Sequence, residues 1–274
     1  MAFRSAVKTV LLFSVVCTAQ PPILKRVVGG QDATPGEFPF IVRLKPAGCA
    51  GTLLNKDTVL TAAHCVSDVL PDKVALKENV SVKAGILNVS MPGVEAKAKA
   101  IVVHPDYQIK QRESNPLGDE IHINDIAIIK LATPIEKSDT IKYATLPADG
   151  SDPAENSNAV VAGWGAQEKI QQWFDQPKDS DKLLKAVIPV HTRETCSKLD
   201  PEMASMDKVV CAGGQGKGTC RGDSGGPLID EKTGQVIGVT SWGVRDKEQY
   251  LCRDAPTVFT RVGSYIPFIA ANQG

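Results

Sequence analysis

The sequence predicts an all-β protein, either a sandwich or a barrel, on three observations. Short runs of β-branched and other apolar residues recur along the chain from Val27 onward. Gly, Pro, Asn and Asp separate these runs. Helical spacing of apolar residues is scarce before Gly263–Ala271, where they line one face. Many short strands with turn residues between them are typical of sandwiches and barrels.

Six runs carry the strand pattern: residues 59–61, 80–82, 100–103, 126–131, 159–162 and 236–240. Two polar, charged stretches, 108–122 and 166–182, contain Pro or Gly and are predicted to be long surface loops. A third stretch rich in Pro and Asp, 133–152, is predicted to join two β units. The chain contains no internal repeat.

Composition excludes some classes of function. The 274 residues, 42% of them hydrophobic, suffice for a full core. The 31 basic and 31 acidic residues cancel, whereas nucleic-acid-binding domains usually carry a basic excess. A nucleic-acid partner is therefore not expected.

The N-terminus resembles a secretory signal peptide. Arg4 and Lys8 precede the apolar run Val10–Val16, and small residues end at Ala19. The run is too short to span a membrane, and no later stretch is long enough. Residues 1–19 are therefore predicted to be removed, leaving a secreted, extracellular protein with no membrane segment.

Six cysteines remain after this cleavage: Cys49, Cys65, Cys196, Cys211, Cys220 and Cys252. In an oxidising compartment they suggest three disulfides, and spacing does not choose among the 15 possible connectivities. A zinc site is the competing interpretation, but no CxxC pair or clustered His/Cys set is present. No metal is expected.

The stretch CRGDSGGP, residues 220–227, sets a serine among glycines. Serine becomes a nucleophile only when an oriented base removes its proton. Among the four histidines, His64 in LTAAHCV is the best candidate. A disulfide at the next residue, Cys65, would hold this histidine in a fixed position. His104 is predicted to lie in a turn, and His122 and His191 to be structural or solvated. Asp125, which heads an apolar run, would be buried and would need a partner.

Six blocks in order resemble the chymotrypsin-like serine endopeptidases, the family of trypsin, chymotrypsin and elastase. They are VVGG (27–30), LTAAHC (60–65), NDIAIIKL (124–131), GWG (163–165), CRGDSGGP (220–227) and SWG (241–243). The resemblance spans nearly the whole chain after residue 26. It implies two packed six-stranded antiparallel β-barrels, over about 27–140 and 141–262, and a C-terminal helix at about 263–271.

The resemblance also implies roles for single residues. Ser224 would be the nucleophile, His64 the general base, and Asp125 the acceptor that orients the imidazole. The N–H groups of Gly222 and Ser224 would form the oxyanion hole. Such an enzyme would act as a monomer on proteins or peptides without a cofactor, and protein inhibitors are further expected partners.

Activation is implied in the same way. Residues 20–26 would be a propeptide, and an activating protease would cut after Arg26. The new α-amino group of Val27 would then pair with Asp223. The alternative for Asp223 is a solvated carboxylate in a turn.

The family pattern pairs Cys49 with Cys65, Cys196 with Cys211, and Cys220 with Cys252. A calcium site is not expected, because the loop after Gly85 lacks a carboxylate at its start. Two sequons, at Asn79 and Asn88, are possible glycosylation sites.

By the same resemblance, Gly218 and Thr219 lie at the base of the pocket for the residue before the scissile bond. The walls would be Ser241-Trp242-Gly243 and the stretch around Thr257, with Arg221 at the rim. A neutral, shortened pocket predicts cleavage after medium-sized apolar residues. Asp254 leaves an alternative open, because its carboxylate would favour basic residues if its loop reached the pocket.

A second function class stays open: a catalytically silent protein of protease fold that binds or inhibits. Such proteins usually lack a triad residue, and this chain keeps all three. An α/β-type esterase fits less well, because its serine would precede its acid and histidine.

Overall fold

The computed structural model describes residues 29–70, 73–112, 115–166, 180–244, 252 and 255–274. Within these ranges the chain forms seventeen strands, three short α-helices and two 3-10 helices. The predicted signal peptide and propeptide, together with Val27 and Asp254, lie outside the described residues. What the sequence predicts for them stays a prediction.

The strands are β1 (Gln31–Asp32), β2 (Ile41–Lys45), β3 (Ala50–Asn55), β4 (Thr58–Thr61), β5 (Ser67–Leu70), β6 (Lys73–Leu76), β7 (Ser81–Ala84), β8 (Val94–Val103), β9 (Gln108–Arg112), β10 (Asn115–Ile123), β11 (Ala127–Leu131), β12 (Asn158–Gly163), β13 (Leu184–Pro189), β14 (Val209–Gly213), β15 (Pro227–Asp230), β16 (Val236–Gly243) and β17 (Pro256–Arg261). The α-helices are α1 (Ala63–Val66), α2 (Arg193–Leu199) and α3 (Ile266–Ala271). The 3-10 helices are Pro201–Ser205 and Val262–Tyr265.

Six strands close into a barrel in the order β11-β4-β3-β2-β7-β8. Each neighbouring pair is antiparallel. The interior contains fully buried aliphatic side chains, among them Leu53, Leu60 and Ile129. Each such side chain stabilises the fold by about 1.5–3 kcal/mol relative to an exposed one. The barrel therefore provides a rigid support for the segments that follow β4 and precede β11.

The second unit is a seven-stranded sheet in the order β1-β13-β12-β15-β16-β17-β14. A single bridge between Val190, just after β13, and Ala212 in β14 joins the two sides of the sheet. The predicted fold class is confirmed, with one difference. The second unit is a curled sheet closed by one bridge, and the early strand β1 is added to it by pairing with β13.

Residues 108–112 and 115–123 form two paired strands, so the prediction of a long loop over 108–122 was wrong. Strands β9 and β10 pair antiparallel, with a register shift between Asn115 and Glu120. Ile121 is buried and Ile123 packs beside it. The charged residues that alternate with these isoleucines hide the strand pattern in the sequence. Most of the other predicted loop, residues 167–179, lies outside the described residues.

The chain ends in a helical segment that packs on the closed barrel. Val262–Tyr265 is a 3-10 helix and α3 continues it to Ala271, close to the predicted 263–271. Tyr265 and Ile269 are buried in the same cluster as the barrel interior. No helix in the described ranges is both long and apolar enough to cross a membrane.

Candidate active site

Strand pairing in the barrel brings His64 and Asp125 together. Thr61 at the end of β4 pairs with Ala127 at the start of β11. His64 follows Thr61 by three residues, and Asp125 precedes Ala127 by two. The two side chains therefore leave the barrel at the same edge, although 61 residues separate them in sequence.

Asp125 is buried, with 1% of its surface exposed, and its carboxylate accepts hydrogen bonds on both oxygens. The His64 backbone N–H donates to Oδ1 over 3.0 Å, and His64 Nδ1 lies 2.7 Å from Oδ2. The Ser241 hydroxyl also donates to Oδ2. These contacts come from both units of the fold, because Ser241 lies in β16. A buried carboxylate needs such partners, since an unpaired one is destabilised by several kcal/mol.

The pKa of Asp125 shows that these partners outweigh burial. Burial alone would raise the pKa of the carboxyl group. The charge and hydrogen bond of His64, helped by Ser241, hold the pKa far below its ordinary value. Asp125 is therefore ionised at neutral pH, and it can fix the tautomer and orientation of the His64 ring.

The loop that carries Ser224 is held between the two units. Ser224 O accepts a 2.8 Å hydrogen bond from the Ala50 N–H in the barrel. Gly225 N–H donates to Thr240 O over 2.8 Å in the sheet. Gly225 has φ +76°, and a Cβ there would meet the Ala50 oxygen at 2.5 Å. Only glycine fits this position, so the loop is pressed closely against the barrel.

This packing links the Ser224 loop indirectly to the segment that carries His64. Ala50 contacts Ser224 and follows Cys49, which is bonded to Cys65, the residue next to His64. Among the hydrogen bonds of the described residues, none joins the Ser224 hydroxyl to His64. Catalytic hydrogen bonds are often long in unliganded proteins and tighten when substrate binds. The structure thus pairs His64 with Asp125 and connects the Ser224 loop to the same segment through Ala50 and the Cys49–Cys65 disulfide.

The backbone around Ser224 leaves two N–H groups for a ligand. Among the described residues, Asp223, Gly225 and Gly226 donate their N–H groups to protein carbonyls, whereas Gly222 and Ser224 do not. Gly222 adopts φ +92°, which side-chain-bearing residues rarely reach. If Ser224 is the nucleophile, as the sequence predicts, two such N–H groups beside it are the arrangement that stabilises an oxyanion.

Asp223 is not a solvated turn residue. It is 2% exposed, so the alternative considered from the sequence is wrong. Its carboxylate accepts hydrogen bonds from Gly165 N–H at 2.8 Å and Cys220 N–H at 2.9 Å. A Cβ at Gly163 or Gly165 would collide with the same carboxylate, which explains the glycines of the GWG block. Its predicted partner, Val27, lies outside the described residues.

Several of the residues predicted to form the pocket lie at one end of β16 and β17. Gly243 pairs with Thr257, and a Cβ at Gly243 would meet nothing within 4 Å. The hydroxyls of Thr257 and Thr219 are buried and lie 2.9 Å apart. A Cβ at Gly218 would lie 3.8 Å from the Thr257 hydroxyl. Two threonines that bond each other thus fill the region next to Gly218.

The remaining predicted pocket residues differ in exposure. Ser241 and Trp242 are buried in β16, and Arg221 is exposed. No motif in the sequence indicated that Arg112 would contact Trp242. Its guanidinium lies 4.8 Å from the centre of the Trp242 ring, and Nη1 lies 2.5 Å from Asp200 Oδ2. Both members of this ion pair are buried, and it ties β9 to the end of α2, while the same guanidinium contacts Trp242 in β16.

His122, which the sequence analysis predicted to be structural or solvated, lies next to His64. Its ring centre lies 5.1 Å from that of His64, because β10 carries it to the edge where His64 emerges. Its Nδ1 lies 2.9 Å from the Tyr107 hydroxyl. Burial lowers the pKa of His122, although the charge of Asp125 opposes this effect. The position of His122 beside His64 depends on the β9–β10 hairpin. Sequence analysis predicted a loop there and therefore could not place His122.

The other two histidines direct their rings to groups other than His64 and Asp125. His104 packs against Tyr265 and Phe268, and His191 Nε2 lies 2.6 Å from Gly213 O. Three disulfides join the pairs that the family resemblance implies: Cys49–Cys65, Cys196–Cys211 and Cys220–Cys252. The first anchors the segment that carries His64, and the third joins Cys220, four residues before Ser224, to Cys252.

Comparisons with known proteins agree with this geometry. Residues 27–269 match the family model described as Trypsin. Chymotrypsin-C of Bos taurus is 36% identical over 281 residues, covering 95% of each chain. Chymotrypsin-C of Mus musculus is 36% identical over 266 residues, covering 92% of this chain and 90% of the relative.

A solved structure agrees as well. Neuropsin, a serine protease expressed in the limbic system of mouse brain, superposes with a TM-score of 0.72 at 27% identity. The superposition covers 89% of this chain and 99% of the other. With the barrel, the curled sheet and the paired His64 and Asp125 in place, the chain belongs to the trypsin family and is a serine endopeptidase.

Proposed function

We propose that the protein is secreted as an inactive precursor and, once activated, hydrolyses peptide bonds through an acyl-enzyme on Ser224. The observation that carries this proposal is the buried, ionised Asp125 hydrogen-bonded to His64 beside the Ser224 loop. The predicted signal peptide supports secretion.

In the proposed reaction, Ser224 Oγ attacks the substrate carbonyl carbon and its proton passes to His64 Nε2. The imidazolium, held by Asp125, then gives this proton to the leaving amine as the C–N bond breaks. Water attacks the resulting ester by the same route: His64 takes its proton, the acyl C–O bond breaks, and the proton returns to Ser224. No proton or electron is left over.

The carbonyl oxygen becomes negatively charged during each attack. We assign its stabilisation to the N–H groups of Gly222 and Ser224, which no carbonyl of the described residues accepts. Loss of one such donor typically costs about 10²–10³ in rate. Gly222 has φ +92°, which side-chain-bearing residues rarely adopt, so a side chain there would disturb the hole.

Activation is proposed to depend on cleavage between Arg26 and Val27. Asp223 is buried beside Gly165 and carries the loop with the two oxyanion donors, so a charged amino group arriving there would order that loop. We therefore expect peptidase activity only after this cleavage. Arg26→Gln is expected to block processing by a trypsin-like activator.

This expectation is checked by incubating precursor and variant with such an activator. N-terminal sequencing should find Val27 in the wild-type protein alone, in step with the appearance of activity. Arg26→Gln protein that is equally active without a Val27 terminus would contradict the activation scheme.

The pocket geometry supports cleavage after medium-sized apolar residues. The described residues at its base are Gly218, Thr219 and Thr257, which carry no charge. A buried guanidinium without a counter-charge is destabilised by several kcal/mol. An apolar side chain gains about 1.5–3 kcal/mol on burial. Thr257 occupies space that a longer substrate side chain would need, so the pocket is short.

A kinetic series of peptides that differ only in the residue before the scissile bond tests this specificity. We expect Leu or Met to give a kcat/KM at least about 100-fold above Arg, since each 1.4 kcal/mol corresponds to a factor of ten. Thr257→Gly should lengthen the pocket and shift preference towards Phe and Tyr.

Two controls separate the possible causes of a different result. Thr233→Gly, at an exposed turn, should leave the preference unchanged. A higher kcat/KM for Arg than for Leu would rule out the neutral pocket. If Asp254→Asn then removed the preference for Arg, the carboxylate of Asp254 would be its source.

A further inference from the structure

His64 and His122 present a pair of imidazoles that the proposed mechanism does not need. Their ring centres are 5.1 Å apart with a 47° tilt between the ring planes. One ligand atom each from His64, His122 and Asp125 can be chosen so that all three lie within 4.8 Å of one another. Among the described residues, the only other cluster of this kind contains Cys49 and Cys65. Their sulfurs are bonded to each other and do not bind metal as thiolates.

Each of the two histidines has a hydrogen-bond partner at Nδ1. His64 Nδ1 lies 2.7 Å from the Asp125 carboxylate, and His122 Nδ1 lies 2.9 Å from the Tyr107 hydroxyl. Metal-binding histidines almost always donate one ring N–H to such a partner, which fixes the tautomer and directs the other nitrogen to the metal. With Nδ1 of each ring engaged in this way, Nε2 is the nitrogen of each histidine through which a metal would bind.

The spacing suits a small tetrahedral ion. Two Zn–N bonds of about 2.0–2.1 Å at a tetrahedral angle place the nitrogens about 3.4 Å apart. Ring centres 5.1 Å apart allow this separation when the two Nε2 atoms face each other. The His64 side chain is 21% exposed, so an ion can reach it from solvent. Imidazole pairs favour zinc, whereas calcium and magnesium prefer oxygen ligands.

We propose that His64 and His122 bind Zn²⁺ through their Nε2 atoms and that this binding reversibly inhibits the enzyme. The Asp125 carboxylate and the Tyr107 hydroxyl support the two ligands, and water completes the coordination. The inhibition rests on the proposed function, because His64 Nε2 is the atom that would take the Ser224 proton. A metal at this nitrogen blocks proton transfer without disturbing the fold.

Zinc titration of the activated enzyme with a peptide substrate tests the inhibition. Each protein is compared with its own rate in the absence of zinc. Wild type should be inhibited and should recover fully when a chelator is added, and magnesium or calcium should have no effect. His122→Gln should raise the zinc concentration for half inhibition at least about tenfold, and Tyr107→Phe should weaken it in the same direction. His191→Gln, at a histidine outside the cluster, should behave as wild type.

Isothermal calorimetry on full-length Ser224→Ala protein gives a second readout that needs no activity. One zinc ion should bind per chain, and the additional His122→Gln substitution should abolish the binding. If the wild-type protein had no peptidase activity but His122→Gln still abolished zinc binding, the metal site would be supported and the proposed function rejected. An active enzyme whose zinc binding is unchanged in His122→Gln, or half inhibition only above about 1 mM zinc, would overturn the metal site.

Discussion

Replacing Ser224 by alanine is expected to lower kcat for peptide hydrolysis about 10⁶-fold, because the serine and its base act as one unit. The variant should still fold. In the wild-type protein the Ser224 hydroxyl makes no hydrogen bond to the described residues. The loop is held instead by backbone contacts to Ala50 and Thr240, which the substitution does not remove. Steady-state kinetics on a peptide substrate, with purified and activated protein, measures the loss.

Ser138→Ala provides the matched control, since this serine is exposed and distant from the site in sequence. It should retain wild-type rates. Thermal unfolding should give similar midpoints for all three proteins. Ser224→Ala protein that keeps more than about 1% of wild-type kcat would contradict the assignment, because activity would then arise from another nucleophile.

Replacing Asp125 by asparagine is expected to lower kcat about 10⁴-fold. The carboxylate accepts hydrogen bonds from the His64 backbone, the His64 ring and Ser241. An asparagine amide has one oxygen to accept and one nitrogen that only donates. The imidazole would then be held in the wrong tautomer, with its proton on the nitrogen that should accept from Ser224.

The control for this variant is Asp139→Asn, which makes the same carboxylate-to-amide change at an exposed residue. It should leave kcat and KM unchanged. The loss in Asp125→Asn should appear in kcat, with little change in KM, because the carboxylate is buried behind His64. An Asp125→Asn enzyme within about tenfold of wild type would show that this residue does not orient the base.

Much of the site could be predicted from short motifs. Ser224, His64 and Asp125 each lie in a block whose order resembles a known family, and the barrel register explains why His64 and Asp125 meet. The burial of Asp223 follows less directly. Its carboxylate fits against the glycines at 163 and 165, which a sequence shows only as two small residues.

The β9–β10 hairpin marks the limit of sequence reasoning. Its charged residues read as a surface loop, because the isoleucines at 121 and 123 alternate with polar neighbours over too short a span. Pairing between distant strands decides where such a segment lies. As a result, the position of His122 beside His64 and the ion pair of Arg112 with Asp200 were not foreseen.

The partial closure of the second sheet has a similar origin. Alternating apolar residues predict strands but not which strand lies at an edge. The sequence could not indicate that β1 would join β13, or that one bridge at Val190 would connect the sides of the sheet. Cysteine pairing likewise depended on the family resemblance, since spacing allowed 15 connectivities.

The most direct test of the proposed chemistry is labelling of the activated protein with a fluorophosphonate, followed by peptide mapping. This reagent reacts with a serine whose hydroxyl is activated by a neighbouring base. We expect one adduct per chain, on Ser224, that is abolished in Ser224→Ala and strongly slowed in His64→Ala. An adduct on a different serine, or no labelling of protein with a verified Val27 terminus, would contradict the assignment of Ser224 as the nucleophile.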